Sequence, residues 1–315
     1  MVCCDIDPAP AASLADKIGC CEPETDWKRV VRRQDIDLVI IATTHDMLAK
    51  IAAEAARFGK HVLIEKPGAR RASELEPVIH AAAQTGALVR VGFNHRYHRT
   101  FQKAREIFET GELGPMMFVR GRYGHGGRPG YEKEWRADPE KSGGGEAMDQ
   151  AVHLVDLSRW FLGDLASVRG SARTYFWDMP VEDNAFLLLE STEGQTAFLH
   201  ASWTEWKNIF SFEIYGKYGK LEITGRGGSY GVERLTYYRM SAEMGPPETT
   251  VWEYPMADDS WKAEFTAFVE DIRLGRQPVP GPREAQAALR AIEELYQDSE
   301  ESMVQPARAA LRAVK

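Results

Sequence analysis

Cysteine is scarce in this sequence, and its placement excludes two common uses of the residue. The 315 residues contain four cysteines, Cys3, Cys4, Cys20 and Cys21, in two adjacent pairs. They lack the C-x-x-C spacing of a zinc or redox motif, and no cluster of histidines stands by to complete a zinc site. We therefore predict no metal site and no disulfide scaffold, and expect free thiols in a reducing cytoplasm.

The sequence also lacks an excess of positive charge and any long hydrophobic run. Its 39 Lys and Arg against 47 Asp and Glu give a net charge of -8, which argues against nucleic acid as a partner. No apolar stretch of about 18 residues is present, so no membrane span is expected. No basic segment followed by an apolar core marks a signal peptide. With 43% hydrophobic residues, the chain has enough apolar content for one large or two ordinary domains.

In the first 95 residues, short apolar runs alternate with helical patterns. The runs are continuous and rich in β-branched residues, which is typical of buried parallel strands. They span residues 38–42, 61–64 and 87–91, and the helical patterns between them end at Gly59 and Gly86. This alternation predicts a Rossmann-type, doubly wound parallel sheet over residues 1–95.

Polar residues stand at the carboxyl end of each predicted strand, where such sheets bind ligands. These candidate cofactor-binding residues are Asp5, Thr43, Thr44, Glu65, Lys66 and Asn94. A carboxylate that ends the second strand of a dinucleotide fold accepts the ribose 2′-hydroxyl and repels a 2′-phosphate. Asp5 suits that role, which favours NAD over NADP, although a helix N-cap or turn residue would explain it equally well.

A dinucleotide fold normally opens with a strand and a G-x-G-x-x-G loop that holds the pyrophosphate. No Gly-rich loop precedes Asp5, and the chain starts at what resembles the second strand. We expect either that this start is internal to a longer protein or that the first strand and loop have been lost.

The remaining residues, 96–315, have a different pattern. A long loop rich in Gly, Arg and aromatic residues spans 124–142, and short strands separated by turns follow between about residues 168 and 253. Two helices, near 260–274 and 282–299, close the chain. We predict an α+β domain with a large, mainly antiparallel open sheet.

The segment from Gly143 to Asp156 combines three glycines with a helical pattern. Asp149 and His153 are four residues apart and Asp156 is three further on, offsets that bring side chains to one helix face. A histidine with a carboxylate one turn before it suits a general base, whose reference pKa of about 6.5 matches neutral pH. The alternative is a buried histidine satisfied by a neighbouring aspartate. The glycines favour function, since glycines before a helix let a ligand approach the backbone closely.

Three motifs in order, E-K-P at residues 65–67, G-F-N-x-R at 92–96 and G-G-G-x-x-x-D-x-x-x-H-x-x-D at 143–156, cover most of the chain. In these motifs the sequence resembles the Gfo/Idh/MocA oxidoreductases. The resemblance implies hydride transfer between NAD(P) and a secondary hydroxyl of a sugar, nucleotide sugar or cyclitol. It implies Lys66, Asp149 and His153 as catalytic residues. It also implies that residues 96–315 bind the substrate and form a homodimer or homotetramer through the open sheet.

Together, Lys66, Asp149 and His153 fit the chemistry of removing a hydride from an alcohol. A hydride leaves a carbinol carbon only as the hydroxyl proton is removed, so His153 is the candidate base. Asp149 would orient it or bind a neighbouring hydroxyl, and the charge of Lys66 would stabilise the developing alkoxide. The alternative for Lys66 is an ion pair with Glu65, which is disfavoured because neighbours on a strand point to opposite faces.

Four further polar or aromatic residues are weaker substrate candidates beside Asp149 and His153. Aromatic faces and charged donors bind polyols, although each of the four is individually more typical of a structural residue. They are Arg96, Tyr97, Trp135 and Arg136. His95 and His98 lack a third ligand that would make them a metal site.

Two other functions compete with the dehydrogenase. The missing Gly-rich loop favours a non-catalytic family member that binds a sugar or a partner protein. An NAD-dependent glycoside hydrolase would use the same residues to cleave a bond without net oxidation.

Overall fold

The computed structural model describes residues 1–313, with side chains through residue 300, and the chain divides into two compact units. Met1–Gly92 and Phe265–Gln286 form the first unit, and Phe93–Glu264 with the chain from Ala287 onward forms the second. The sequence-based division at residue 95 assigned 265–286 to the second domain, whereas the structure groups this segment with the first unit.

The first unit alternates strands and helices along most of its length. Its elements in chain order are β1 (Val2–Cys4), α1 (Pro8–Ile18), β2 (Glu22–Glu24), α2 (Trp27–Arg32), β3 (Leu38–Ile41), α3 (His45–Arg57), β4 (His61–Glu65), a 3₁₀ turn (Ala72–Leu75), α4 (Glu76–Thr85) and β5 (Val89–Gly92). Helix α1 shows why the boundaries fall where they do. Asp7 caps its start by accepting the Ala9 N–H, Pro8 occupies the first turn, and Gly19 ends it at φ +79°.

All strand pairs in the first unit are parallel, which confirms the predicted Rossmann-type sheet. Strand β1 pairs with β2, and β3, β4 and β5 form a separate sheet in that order. In the strand order 3-2-1-4-5-6 of dinucleotide folds, these two sheets correspond to strands 3-2 and 4-5-6. Among the described residues no strand pairs between β1 and β3, so the predicted single sheet is in two parts.

A buried ion pair ties the segment 265–286 to the first unit. The guanidinium of Arg90, on β5, donates to the carboxylate of Asp271, which also accepts from Arg276 Nε at 2.5 Å. The backbone N–H of Val91 donates to the carbonyl of Pro280 at 3.1 Å. Because Arg90 is only 2% exposed, its charge depends on Asp271 for compensation.

The second unit contains the long sheet and the helices that cover it. Its elements in chain order are a 3₁₀ turn (Asn94–Tyr97), α5 (Arg99–Glu109), β6 (Met116–Gly124), 3₁₀ turns (Tyr131–Lys133 and Trp135–Ala137), α6 (Pro139–Ser142), a π-helical turn (Ala147–Ala151), α7 (Val152–Leu162), β7 (Leu165–Arg173), β8 (Asn184–Ser191), β9 (Thr196–Ser202), β10 (Ile209–Gly216), β11 (Gly219–Thr224), a 3₁₀ turn (Gly228–Tyr230), β12 (Glu233–Arg239) and β13 (Glu248–Tyr254). Helices α8 (Ser260–Leu274) and α9 (Pro282–Ala313) contribute residues to both units.

Over the described residues, β6 to β13 form one sheet of eight strands in the order β13-β12-β11-β10-β6-β9-β8-β7. Only β6 and β9 pair in parallel, and every other neighbouring pair is antiparallel. Alternate residues of the central strands, such as Leu199, Phe212 and Ile214, are fully buried. This arrangement confirms the predicted large, mainly antiparallel sheet.

Two features of the chain were not foreseen. Strand β2 and helix α2 were missed, because the Glu-Pro-Glu of β2 carries no apolar alternation and α2 has only 6 residues. The segment around Asp149 begins with a π-helical turn before α7, whereas the spacing predicted a continuous α-helix.

Candidate active site

In the first unit, polar side chains follow three of the parallel strands. Asp5 is exposed directly after β1, and its Oδ1 accepts the N–H of Asp7 at 2.9 Å. Thr43 is exposed after β3, and Thr44 occupies the N-cap of α3, where its hydroxyl donates to Asp46 at 2.6 Å. These groups therefore occupy the strand ends at which parallel sheets bind ligands.

Strand β4 ends at Glu65, and Lys66 is joined to Pro67 by a cis peptide bond. The N–H of Lys66 donates to Glu65 Oε2 at 3.2 Å. Burial raises the pKa of the Glu65 carboxyl, and the charge of Lys66 opposes that effect. Gly92 ends the neighbouring strand β5. A larger residue would be crowded there, because an added Cβ would lie 3.3 Å from the carbonyl oxygen of Ile64.

In the second unit, the predicted residues that follow Gly92 are buried or half-buried. Asn94 donates from its amide to Ser260 Oγ at 2.9 Å. Arg96 forms a bidentate ion pair with Asp156 at 2.7 and 2.8 Å, and Tyr97 is half-buried. Asp156 therefore serves to hold Arg96, and the pair fastens α7 to the 3₁₀ turn at Asn94–Tyr97.

Two of the three glycines before the π-helical turn, Gly144 and Gly145, lie directly against other parts of the protein. The carboxylate of Glu182 accepts the N–H groups of Gly145 at 3.1 Å and of Ala147 at 3.0 Å, and the hydroxyl of Tyr296 at 2.8 Å. A Cβ on Gly144 would overlap the Tyr296 hydroxyl, and one on Gly145 would overlap the carbonyl oxygen of Glu182. An internal carboxylate thus occupies this helix start, and its burial raises the pKa of Glu182.

Asp149 lies within the π-helical turn, beside two of the predicted substrate residues. Its carboxylate is 3.6 Å from Arg136 Nε, and the Arg136 guanidinium lies 4.7 Å from the centre of the Trp135 ring. Arg136 also lies 3.6 Å from Glu134. The structure thus brings Arg136 between Trp135 and Asp149, although Arg136 and Asp149 are 13 positions apart in sequence.

His153 lies in the first turn of α7, with its ring buried among other rings. It stacks on His95 with a centroid separation of 3.7 Å and an interplanar angle of 12°. Phe93 meets it edge-on at 5.9 Å, and Tyr123 lies 6.4 Å away. Contact with His95 was not predicted, because the two residues are 58 positions apart.

Three further residues around Asp149 were missed or named only as loop aromatics. His125 is half-buried, and its Nδ1 accepts the N–H of Gly127 at 2.9 Å. Burial lowers the pKa of His125, whereas the charge of Asp149 raises it. Burial also raises the pKa of Tyr123 and of Tyr131. The signal that could have found them is the density of His, Tyr and Arg from β6 into the loop that follows.

Two expectations about absent features concern the described part of the chain. Across residues 1–313 no helix is both long and apolar enough to cross a membrane. In the same part, no group of three or more His, Cys, Asp or Glu side chains is arranged to hold a metal ion.

The second unit therefore presents a carboxylate in the π-helical turn and a buried imidazole at the start of α7, with a guanidinium near the carboxylate and an indole against that guanidinium. An imidazole can take a proton from a hydroxyl group, and a carboxylate with a guanidinium can hydrogen-bond neighbouring hydroxyls. These groups of the second unit suit acid–base chemistry on a polyhydroxylated molecule. The first unit, by itself, presents a lysine and a glutamate at a strand end.

Comparison with known proteins agrees with the fold and the motifs. Residues 1–93 match the family model described as "Oxidoreductase family, NAD-binding Rossmann fold", and residues 101–222 match the "GFO/IDH/MocA C-terminal domain". The chain belongs to the GFO/IDH/MocA family of oxidoreductases, and its first unit is an NAD-binding Rossmann domain. The predicted family and the predicted Rossmann domain are thereby confirmed.

The individual relatives share less than 30% sequence identity with this chain. The chain is 29% identical to levoglucosan dehydrogenase of Pseudarthrobacter phenanthrenivorans over 61% of its length and 50% of the relative's. It is 26% identical to dTDP-3,4-didehydro-2,6-dideoxy-alpha-D-glucose 3-reductase of Saccharopolyspora spinosa, over 85% of this chain and 78% of that one. A solved structure of levoglucosan dehydrogenase with NADH superimposes with a TM-score of 0.84 at 22% identity, covering 95% of this chain and 87% of that one. The chain thus aligns with about half the length of the first of these relatives.

Proposed function

We propose that this protein is an NAD-dependent dehydrogenase that oxidises a secondary hydroxyl of a sugar, nucleotide sugar or cyclitol. The observation that carries the proposal is the arrangement around the π-helical turn. There a buried histidine follows a half-buried carboxylate by one turn, and Trp135 and Arg136 lie beside that carboxylate. The relatives named above act on a sugar or a nucleotide sugar by their names, which supports the same substrate class.

Within this proposal, His153 is the base that takes the hydroxyl proton of the reacting carbinol. Asp149 binds a neighbouring hydroxyl, and Arg136 pairs with the Asp149 carboxylate. Lys66 stabilises the negative charge that develops on the substrate oxygen. Glu65 supports Lys66, because its carboxylate accepts the backbone N–H of Lys66 at the end of β4.

The NAD-binding residues that we propose fit a dinucleotide at the strand ends of the first unit. Asp5 is exposed after β1, as an acceptor for the ribose hydroxyls must be, and its charge disfavours a 2′-phosphate. Thr43 and Thr44 border the start of α3, and Lys66 lies at the end of β4. A nicotinamide held by these residues would supply the hydride acceptor for the reaction.

The remaining candidates receive separate roles. Trp135 is half-buried, and we assign it to stacking against the apolar face of the sugar. Arg96 and Asn94 hold the second unit together through Asp156 and Ser260, so we assign them to supporting the site. Tyr97 is half-buried beside them and remains a candidate for substrate contact.

We further propose that the protein is a homo-oligomer assembled through one face of the eight-stranded sheet. Leu188, Phe198, Arg120 and Glu213 are cross-strand neighbours in that order on β8, β9, β6 and β10. Leu188 and Phe198 are 49% and 52% exposed on this face. Apolar side chains beside an ion pair are typical of subunit interfaces. For location we propose the cytoplasm, with the four free thiols as support.

The test is a screen of sugars and cyclitols for NADH formation, with levoglucosan, D-glucose, D-xylose and inositols as first substrates. His153→Ala and Lys66→Met should each lower kcat by about 100-fold or more. His200→Phe and Lys50→Met change the same residue types away from the proposed site and should leave kcat unchanged. Full turnover in either site variant would refute the catalytic assignment.

The two competing functions predict different results in the same screen. Binding of a sugar without NAD, with no turnover over the panel, would favour the non-catalytic family member. Release of free sugar from a glycoside with no net NADH would favour the NAD-dependent hydrolase.

A further inference from the structure

The stacked pair His95 and His153 is an unusual feature of the second unit. The ring planes are 12° from parallel and their centroids 3.7 Å apart, and the residues are 1% and 4% exposed. His95 belongs to the 3₁₀ turn at Asn94–Tyr97, and His153 belongs to the first turn of α7. Two titratable rings from different elements are therefore buried face to face.

The walls around this pair are mainly aromatic. Phe93 meets His153 edge-on at 5.9 Å, and Phe210 meets His95 edge-on at 5.8 Å. Tyr123 lies 5.3 Å from the His95 ring. Little water reaches such a site, so a charge on either ring is screened weakly and acts strongly on the other ring.

Titratable and charged groups also face the pair from each neighbouring element. From the 3₁₀ turn, His98 lies 5.7 Å from His95, and its Nδ1 is 3.2 Å from Glu233 on β12. Its Nε2 is 3.9 Å from Asp258. The others are Tyr123 on β6 with its partner Arg226, Asp149 and Asp156 on the segment that carries His153, and Arg96 beside His95. Most of these charges are paired with each other.

The stacked geometry has one electrostatic consequence. Imidazole rings hydrogen-bond through their edges, so two stacked rings share no hydrogen bond that would stabilise a second proton. Two imidazolium ions at this separation repel each other, as two carboxylates do in an acid dyad. The repulsion therefore disfavours a second proton on the pair, and a single proton can reside on either ring.

We propose that His95 is a positioning residue that keeps His153 unprotonated, and so able to act as a base, by competing for this single proton. The proposal rests on the proposed role of His153 in substrate oxidation. His95 also holds the His153 ring in one orientation through the stack. A base that is neutral at lower pH extends the range in which the enzyme accepts a proton from substrate.

The same unit contains a reference for a histidine without such a competitor. His200 stacks on Phe186 with a centroid separation of 4.3 Å and an interplanar angle of 7°. Replacing His95 by phenylalanine would give His153 the same kind of neighbour. A phenyl face attracts a cation and cannot take the proton, so His153 should protonate more readily in that variant.

The experiment is an NMR pH titration of the full chain with ring-labelled histidines, which requires neither substrate nor cofactor. In the wild type we expect the His95 and His153 signals to report together about one bound proton through the neutral range. In His95→Phe and in His95→Gln, we expect the His153 midpoint to rise by about one pH unit, since the competing charge is gone. His200→Phe should leave the His153 midpoint unchanged, and the His200 signal should confirm that both His95 variants are folded.

Two outcomes would overturn the pairing. One is an unchanged or lower His153 midpoint in both His95 variants, and the other is independent titration of both rings to two protons in the wild type. Once a substrate is known, kcat can be measured against pH. In His95→Phe, the pH below which kcat falls should rise by as much as the NMR midpoint of His153 does. If that pH stays the same while the NMR midpoint rises, His95 and His153 compete for a proton as proposed, but His153 is not the base.

Discussion

The carbonyl oxygen and the carboxylate of Glu182 both contact the start of the segment that carries the candidate catalytic residues, and Gly145 lies directly against them. The Gly145 N–H donates to the carboxylate, and no Cβ fits between its Cα and the Glu182 backbone. This contact anchors the π-helical turn that follows. The position of Asp149 and His153 therefore depends on a loop residue about 30 positions downstream.

Gly145→Ala should displace the π-helical turn, because the added methyl group overlaps the Glu182 carbonyl oxygen. We expect a loss of about 3 kcal/mol in the free energy of unfolding and of about 100-fold in kcat. Urea denaturation and the dehydrogenase assay measure the two effects. Gly245→Ala is the matched control, since a Cβ there meets nothing within 4 Å. Equal behaviour of the two variants would show that Gly145 is dispensable for the anchor.

Asp271→Ala should destabilise the first unit strongly, because it leaves the buried guanidinium of Arg90 without its partner. Loss of one member of a buried ion pair costs about 3–5 kcal/mol. Arg90→Met combined with Asp271→Leu should recover much of this loss by removing both charges. Arg234→Ala breaks an exposed pair with Glu253 and should change the denaturation midpoint little. A mild Asp271→Ala phenotype would indicate that the ion pair does not hold 265–286 in the first unit.

His125 should make stability depend on pH on the acid side of neutrality. Burial lowers its pKa, so the unfolded chain binds a proton at a higher pH than the folded chain does. The stability is present above the unfolded value of about 6.5 and is lost as pH falls below it toward the lower folded pKa. Protonation of Nδ1 also removes the acceptor for the Gly127 N–H.

The measurement for His125 is the thermal midpoint at several pH values between neutral and mildly acidic. His125→Asn keeps an acceptor near Gly127 but does not titrate, so its midpoint should fall less on acidification. A difference of a few degrees is the expected size, since about 1 kcal/mol shifts the midpoint by that amount. Parallel curves for the two proteins would rule out His125 as a source of acid sensitivity.

Asp5→Ser should weaken NAD binding and reduce the preference over NADP, because the change removes both an acceptor for the ribose hydroxyls and a charge that repels a 2′-phosphate. We expect about a tenfold rise in the Kd for NAD, measured by the quenching of tryptophan fluorescence. Asp7→Ser is the control, since Asp7 caps α1 and a serine can cap it as well. If the ratio of the Kd for NAD to the Kd for NADP is the same in Asp5→Ser as in the wild type, the only role of Asp5 is to form the turn with Asp7.

Local pattern was enough to find most elements and to order them. The apolar runs at β3, β4 and β5 ended within two residues of the observed strands, since a buried parallel strand must be apolar throughout. The turns at short intervals between β7 and β13 predicted the antiparallel sheet, since short strands joined by turns are also a local pattern. Strand β2 was missed because its three residues, Glu-Pro-Glu, pair through the backbone and leave no pattern in the side chains.

For the candidate site, the motifs selected residues but did not predict their neighbours. Asp149 and His153 were selected as candidates because a fixed spacing on one segment is a local property. The partners Arg136, His95 and Glu182 come from other elements, and their contacts depend on how those elements pack. The glycines show most clearly what a local pattern leaves undecided. Their sequence suits the close approach of a ligand, whereas the structure places a carboxylate of the protein against Gly145.

By itself, the sequence determined the class of fold, the family and the two titratable residues on the segment that follows the glycines. These follow from periodicity and from residue types at short spacing, which are set by local backbone geometry. Only the tertiary structure decided that 265–286 joins the first unit, that Glu182 fills the helix start and that His95 stacks on His153. Each of these depends on contacts between residues far apart in sequence, and such contacts form only when the elements pack together.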